Sequence, residues 1–337
     1  MYFPLFIAST VLFYGALARC DSAVPFTLQI TYDATNFFDK FDFRDAAYYY
    51  PQYPSGDPTD GSVNYLSKSD AISSGIASTE NSQVYLGVDF TRKAELRGNS
   101  TTIHGRDSVR LESKDTWSDG LIIADIAHMP GTACSVWPSL WFYNFEENPV
   151  GEVDLVEGIN VQSQNVVSLH TCGTCSFDNL GERSNCNNGG TESDSCEDGT
   201  NYDGCGNTMS SGSYGPDFNA GGGGVYAVWL ESDALRLYWW SRKDIPADIT
   251  DGTPDPNQWG TPASLFQSGK GCDVSRYFKD LTIIVNTDFC GDNINQDIWE
   301  GDCQGSTGVR TCDEYVTENP AAFKESYWLI NSVKIYN

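Results

Sequence analysis

Gly151-Glu152-Val153-Asp154-Leu155-Val156-Glu157-Gly158 sets three carboxylates inside an apolar, largely β-branched run closed by glycine at both ends. Valine and leucine in such a run read as a buried strand, where repeated acids are costly unless something uses them. On a regular strand Glu152 and Asp154 share a face, because side chains alternate with a period of two. Glu157, an odd number of positions further on, points the other way. One β-bulge within Leu155-Val156 returns it to the same face, and bulges are common beside active sites. The expectation is one row of three carboxylates on one face of a sheet.

Such a row suits glycoside hydrolysis, which needs one carboxylate at the anomeric carbon and one carboxylic acid at the leaving oxygen. A central Asp154 would push its neighbours' pKa values apart by sharing a proton or a hydrogen bond. With the bulge, Glu152 and Glu157 stand about four pleat steps apart, roughly 13 Å along the backbone. Retention of configuration needs carboxyl groups about 5–5.5 Å apart. A retaining site therefore requires a concave sheet and side chains that lean together; spacing alone leaves inversion open. Calcium binding fits less well, since calcium draws oxygens from loops. A solvated acidic edge would not keep Val153, Leu155 and Val156 beside the acids.

Working outward, short strand-like runs recur at Thr27–Thr31, Val84–Phe90, Ser108–Ser113, Leu121–Ile126, Val166–His170, Val225–Glu231, Leu235–Trp240, Leu281–Asn286 and Trp328–Tyr336. Helical periodicity is scarce, and 32 Gly with 14 Pro punctuate the chain. The pattern predicts an all-β fold, a two-sheet β-sandwich (jelly roll) with a concave substrate cleft. At 337 residues with 40% hydrophobic side chains, the chain can bury a large core. Its formal charge of −26 argues against nucleic acid and anionic membranes as partners. A monomer is expected.

Leu5–Leu17 is apolar apart from Ser9, Thr10 and Gly15, and too short to span a bilayer. It reads as the core of a secretory signal peptide over residues 1–20, with cleavage after Cys20 favoured over Ala18. Residues 21–337 then form a single β-sandwich catalytic domain, secreted and extracellular. Eleven cysteines against three histidines fit an oxidising compartment. Five of them, Cys172, Cys175, Cys186, Cys196 and Cys205, fall in one Gly/Asn/Asp/Ser-rich insertion. Disulfides are the expected means of ordering it, with zinc at Cys172-x-x-Cys175 as the alternative. Asn99-Ser100-Thr101 is a lone N-glycosylation acceptor. His104 and His128 are expected to be structural or surface residues.

Glu152-x-Asp154-x-x-Glu157 resembles the signature of glycoside hydrolase family 16 in its laminarinase-type form. So do Phe37–Phe43, Ser108–Lys114, Ile123–Pro130, Trp137-Pro138-Ser139-Leu140-Trp141, Ser168–Thr171 and Phe289–Asp292, in the expected order. The chain is similar to fungal secreted endo-β-1,3(4)-glucanases from about Thr27 to Tyr336. The resemblance implies Glu152 as nucleophile, Asp154 as assisting carboxylate and Glu157 as acid/base. It implies His170 beside the acids, Trp137 facing the cleft and Trp141 in the core. Asn64, Arg110 and Trp259 are implied as substrate-binding. No metal and no organic cofactor are implied for the site. The partner is a β-glucan, cut by double displacement at β-1,3 or mixed β-1,3/1,4 linkages. A transglycosylase and a non-catalytic glucan-binding protein share the scaffold as rival readings. The chain departs from the family where Tyr143-Asn144-Phe145-Glu146-Glu147-Asn148-Pro149 replaces a Gly and a second Trp-Pro, which leaves Tyr143 or Phe145 to supply an aromatic platform.

Overall fold

The computed structural model describes residues 26–94, 105–145, 151–171, 177–179, 203–268 and 273–337. The expected signal-peptide region (residues 1–20), the expected Asn99 acceptor, His104 and nearly all of the cysteine-rich insertion lie outside them. Two antiparallel sheets face each other. The first has nine strands, ordered Phe177–Asn179, Ser264–Ser268, Ala234–Ser241, Gly224–Leu230, Gly120–His128, Trp328–Tyr336, Gln83–Leu86 and Ala77–Glu80, with Leu28–Tyr32 also pairing to Trp328–Tyr336. The second has seven, ordered Asp203–Thr208, Val166–Thr171, Gly151–Glu157, Val136–Tyr143, Leu281–Phe289, Arg110–Trp117 and Phe41–Phe43. This is the predicted jelly-roll sandwich. Helices are few and short, the longest α-helix among the described residues being Cys312–Glu318. None of them is long and apolar enough to cross a membrane.

Alternation decides which side chains fill the space between the sheets. Ile122, Ala124 and Ile126 come from one sheet; Leu140, Phe142, Val153, Ile283 and Val285 come from the other, all fully buried. The opposite face of the seven-stranded sheet carries the polar and aromatic positions of the same strands. Val136–Tyr143 is one of several strands absent from the sequence reading, with Phe41–Phe43, Ala77–Glu80, Asp203–Thr208 and Ser264–Ser268, and Pro138 is unusual in a central strand. The fold accommodates it locally: pairing with Gly151–Glu157 ends at Ser139↔Glu157, so among the described residues Pro138 has a strand neighbour on one side only, at Thr287.

A second core lies under the 292–323 segment, where Trp299, Val316 and Phe323 pack on Val136 and Phe289. Two disulfides clip this segment to the sandwich, Cys134–Cys303 and Cys290–Cys312. A third cluster covers the outer face of the nine-stranded sheet and is built on Leu121, Ile123, Val225, Ala227 and Tyr238.

Candidate active site

The acidic strand pairs with Val136–Tyr143 in register until Asp154↔Trp141, then resumes at Val156↔Leu140. Leu155 is the extra residue, so the bulge falls where the acid spacing requires one. Val153, Leu155 and Val156 are buried in the core, while Glu152, Asp154 and Glu157 stand opposite Tyr143, Trp141 and Ser139. Across the sheet, the Glu157 row continues through Ser139, Asn286 and Arg110, and the Asp154 row through Trp141, Ile284 and Glu112. A cleft crossing the strands is lined by the three acids with Thr59, Arg110, Trp137, Ser139, Trp141, Asn286 and Asp288. Glycine at both ends of the acidic strand is a packing demand. A Cβ at Gly151 would meet the Tyr277 carbonyl oxygen at 2.0 Å, and one at Gly158 would meet the Tyr214 ring at 2.6 Å.

Burial drives the electrostatics. Asp154 is 3% exposed. Burial, then the neighbouring Glu157 charge, raise its pKa well above the ordinary carboxyl value, against a hydrogen bond with Glu152. Burial also raises the Glu157 pKa, while a hydrogen bond from Trp137 and the proximity of His170 pull it back. Trp137 Nε1–H donates to Glu157 Oε1 at 2.9 Å, and Asn293 Nδ2–H donates to the same oxygen at 3.3 Å. His170 pairs with Glu152 across the ladder, and its Nε2 lies 3.3 Å from Asp154 Oδ2. A buried Asp154 and a partly buried Glu157, both favouring their protons, thus sit on one cleft face with Glu152 and a histidine, the environment in which carboxyl groups divide acid and base duties.

Arg110 holds the far side of the cleft. Burial opposes its charge, but Tyr49, Glu112, Tyr65 and Asp57 outweigh that and keep its pKa above the ordinary arginine value. Its guanidinium lies 5.0 Å from the Trp141 ring and 5.1 Å from the Tyr49 ring. A second buried carboxyl pair adjoins it: burial and then Asp57 raise the pKa of Asp288, whose Oδ2 accepts from Thr59 Oγ1 at 2.7 Å. Glu152, Asp154 and His170 each bring one ligand atom within 4.8 Å of the others, so among the described residues they are the group that could hold a metal ion. The same closeness suits a shared proton.

The structure gathers Glu152, Asp154, Glu157, Trp137, His170 and Arg110 in one place. Three expectations need correction. Trp141 faces the cleft rather than the core, because Trp137, Ser139, Trp141 and Tyr143 alternate in step on an unbulged strand; its Nε1–H donates to Asn286 Oδ1 at 2.9 Å. Asn64 lies outside the cleft. Alternation sends Tyr65 toward Asn286 and Asn64 into a separate charged cavity with Asp89, Arg92 and Arg106, where it donates to Asp107 Oδ1 at 2.7 Å. Trp259 belongs to the outer face of the other sheet, packed on Tyr238 and Trp240 with its Nε1–H donating to Asp248 at 2.7 Å.

Sequence reading missed Asn286, Asp288, Thr59 and Asn293. The first two carried a signal, since Thr282, Asn286 and Asp288 fall at even spacing along Leu281–Phe289. Asn293 carried none, because it reaches Glu157 only through the disulfide-clipped segment. Tyr143 and Phe145 do continue the aromatic line from Trp141, with ring centroids 6.0 and 4.9 Å apart, and Phe145 is half exposed.

Residues 50–336 match the model of the XgeA-like, catalytic GH16 domain. The chain belongs to glycoside hydrolase family 16. This family 16 domain is 38% identical to an endo-1,3(4)-β-glucanase of Arthroderma benhamiae, over 97% of the chain and 68% of that protein. It is 34% identical to the endo-1,3(4)-β-glucanase XgeA of Emericella nidulans, over 98% of the chain and 50% of that protein. The chain thus spans between about half and two thirds of the length of these relatives. Among solved structures, it resembles an elongating family 16 β-1,3-glucosyltransferase (36% identity, TM-score 0.79, 93% of this chain and 100% of that one). It also resembles laminarinase 16A of Phanerochaete chrysosporium, solved with 6-O-glucosyl-laminaritriose in donor and acceptor sites (31% identity, TM-score 0.77, the same coverage).

Proposed function

We propose that this domain is a secreted, monomeric, retaining endo-β-glucanase acting on β-1,3 or mixed β-1,3/1,4 chains. The observation that carries the reading is the bulged acidic strand, which sets Glu152, Asp154 and Glu157 on one cleft face with raised pKa values at Asp154 and Glu157. The Glu152 carboxylate attacks the anomeric carbon while the protonated Glu157 gives its proton to the departing glucosyl oxygen. The bond from C1 to Glu152 then yields to a water whose proton Glu157 takes back. Asp154, with His170 at 3.3 Å, holds a proton or hydrogen bond against Glu152 and modulates its charge through the two displacements. Trp137 and Trp141 offer ring faces to the apolar faces of glucose, Tyr143 extends the aromatic line beside Trp141, and Arg110 and Asn286 offer donors to its hydroxyls.

Purified protein and Glu152→Gln, assayed on laminarin and on mixed-linkage glucan, test the reading. The wild type is expected to release oligosaccharides of retained β-configuration by NMR at early time, and the variant none. An inert wild type, or an equally active variant, removes the assignment.

Transfer to a sugar acceptor is the second reading, favoured by the likeness to an elongating glucosyltransferase. It uses the same glycosyl-enzyme and differs in what resolves it. Products longer than the supplied oligosaccharide would establish transfer; shorter products alone would establish hydrolysis.

A further inference from the structure

The bulge that brings Glu157 into the cleft leaves a backbone problem of its own. A bulged residue interrupts the ladder, and a buried strand cannot leave backbone groups without partners. The difficulty is greater here because Val166–Thr171, the neighbour on the other side, pairs only as far as Asp154↔Ser168. Among the described residues, no strand pairs with Leu155 to Glu157 on that flank.

One side-chain amide takes the place of that missing strand. Asn165, fully buried just before Val166, donates from Nδ2 to the Leu155 carbonyl at 2.8 Å. Its Oδ1 accepts the Glu157 backbone N–H, also at 2.8 Å. The two bonds span the bulge from the extra residue to the acid. Asn165 is itself held at both backbone atoms: its N–H donates to Ser213 Oγ at 2.8 Å, and its carbonyl accepts from Met209 N–H at 2.8 Å. The amide is thus oriented before it meets the acidic strand.

We infer that Asn165 is a positioning residue that holds the Leu155 bulge closed and thereby keeps the Glu157 carboxyl on the cleft face. This rests on the proposed acid/base role of Glu157. Without the amide, the strand relaxes toward regular pairing, and a shift of one residue turns Glu157 away from the cleft while leaving Glu152 and Asp154 in place.

The test separates loss of the acid/base from loss of the fold. Asn165→Ala is compared with wild type and with Glu157→Ala on two substrates, a laminari-oligosaccharide and a dinitrophenyl β-laminaribioside, with and without azide. The dinitrophenolate leaves without protonation, so its release does not need Glu157. Azide then attacks C1 of the glycosyl-enzyme, forming a C–N bond as the C1–O bond to Glu152 breaks, and the Glu152 carboxylate departs as the anion. No general base is required.

Asn165→Ala is expected to lose about 10²-fold or more in kcat on the oligosaccharide. It should show little change in dinitrophenolate burst, gain turnover with azide, and yield a β-glycosyl azide, as Glu157→Ala does. If Glu157→Ala shows these signatures and a folded Asn165→Ala does not, Asn165 has no part in placing the acid and the inference falls. If Glu157→Ala itself gives no azide product, the acid/base assignment falls and takes the inference with it. Should Asn165→Ala not fold, Asn165→Asp replaces it: its carboxylate still accepts from the Glu157 N–H but cannot donate to the Leu155 carbonyl, so the bulge is held at one end only. The same loss and azide rescue are expected, and wild-type behaviour overturns the inference.

Discussion

The cleft face of the seven-stranded sheet and the outer face of the nine-stranded sheet are both rich in tryptophan and tyrosine, yet they do different work. On the outer face Tyr238 and Trp240 stack at 5.5 Å, Trp259 meets both edge-on, and aliphatic side chains such as Ile249 close over them. Those rings satisfy one another. In the cleft, the indole N–H groups of Trp137 and Trp141 point at Glu157 and Asn286, and Arg110 lies against the Trp141 ring. Their neighbours are polar groups held at low dielectric by burial, so the rings frame a site instead of completing a core. Aromatic content therefore says little about where a sugar would bind. Buried carboxyl groups with raised pKa values beside the rings say much more.

The sharpest way to break this contrast is at the acids. Glu157→Gln should cost about 10²–10⁴-fold in kcat on laminarin, whereas Asp248→Asn on the outer face should leave kcat unchanged. A comparable loss at both would mean that the two faces do not differ as described.

Next comes a matched pair of tryptophans. Trp141→Ala should raise KM for glucan about tenfold, the weight of a lost ring contact, with the added effect of freeing Arg110. Trp259→Ala should instead lower stability by about 2–3 kcal/mol in denaturant unfolding and leave KM alone.

The pH profile gives a finer test with a definite sign. Glu157 must be protonated to serve as acid, so the alkaline limb of kcat/KM should lie above the ordinary glutamate range. The Trp137 hydrogen bond pulls that pKa down, so Trp137→Phe should move the alkaline limb to higher pH, while Trp259→Phe should not move it. Stability follows the same protons. The folded state holds protons on Asp154 and Glu157 that the unfolded chain releases, so stability is greatest below the unfolded carboxyl pKa and falls as pH rises through the raised values. Asp154→Asn and Glu157→Gln should therefore melt above wild type by a margin that widens with pH in calorimetry.

The smallest expected effect is at the rim. Phe145→Ala should raise KM about two- to threefold on long chains and not on short oligosaccharides. Equal effects on both would place Phe145 outside the substrate path.

Much of this molecule was legible in its residues. Alternating and β-branched runs gave the sandwich, and strands such as Trp328–Tyr336 fall where their pattern places them. The acid spacing alone required the bulge that is found at Leu155. Val136–Tyr143 is not among the strands read from the sequence, and its tolerance of Pro138 depends on where a neighbouring strand ends, which no local pattern states. Asn64 and Trp259 are implied only by resemblance to the family, and in this chain alternation turns Asn64 away from the cleft while packing on Tyr238 and Trp240 holds Trp259 on the other sheet. Asn165 was invisible because its partners on Leu155 and Glu157 are backbone groups left open where the pairing with Val166–Thr171 ends beside the bulge.

What the sequence determined by itself was the fold class and the three acids, since both rest on short-range periodicity and on the cost of burying charge. Only the tertiary structure decided which rings and amides stand over those acids. That choice depends on strand order, on where each pairing stops, and on a segment brought back by disulfides, all of which are long-range facts that no local pattern encodes.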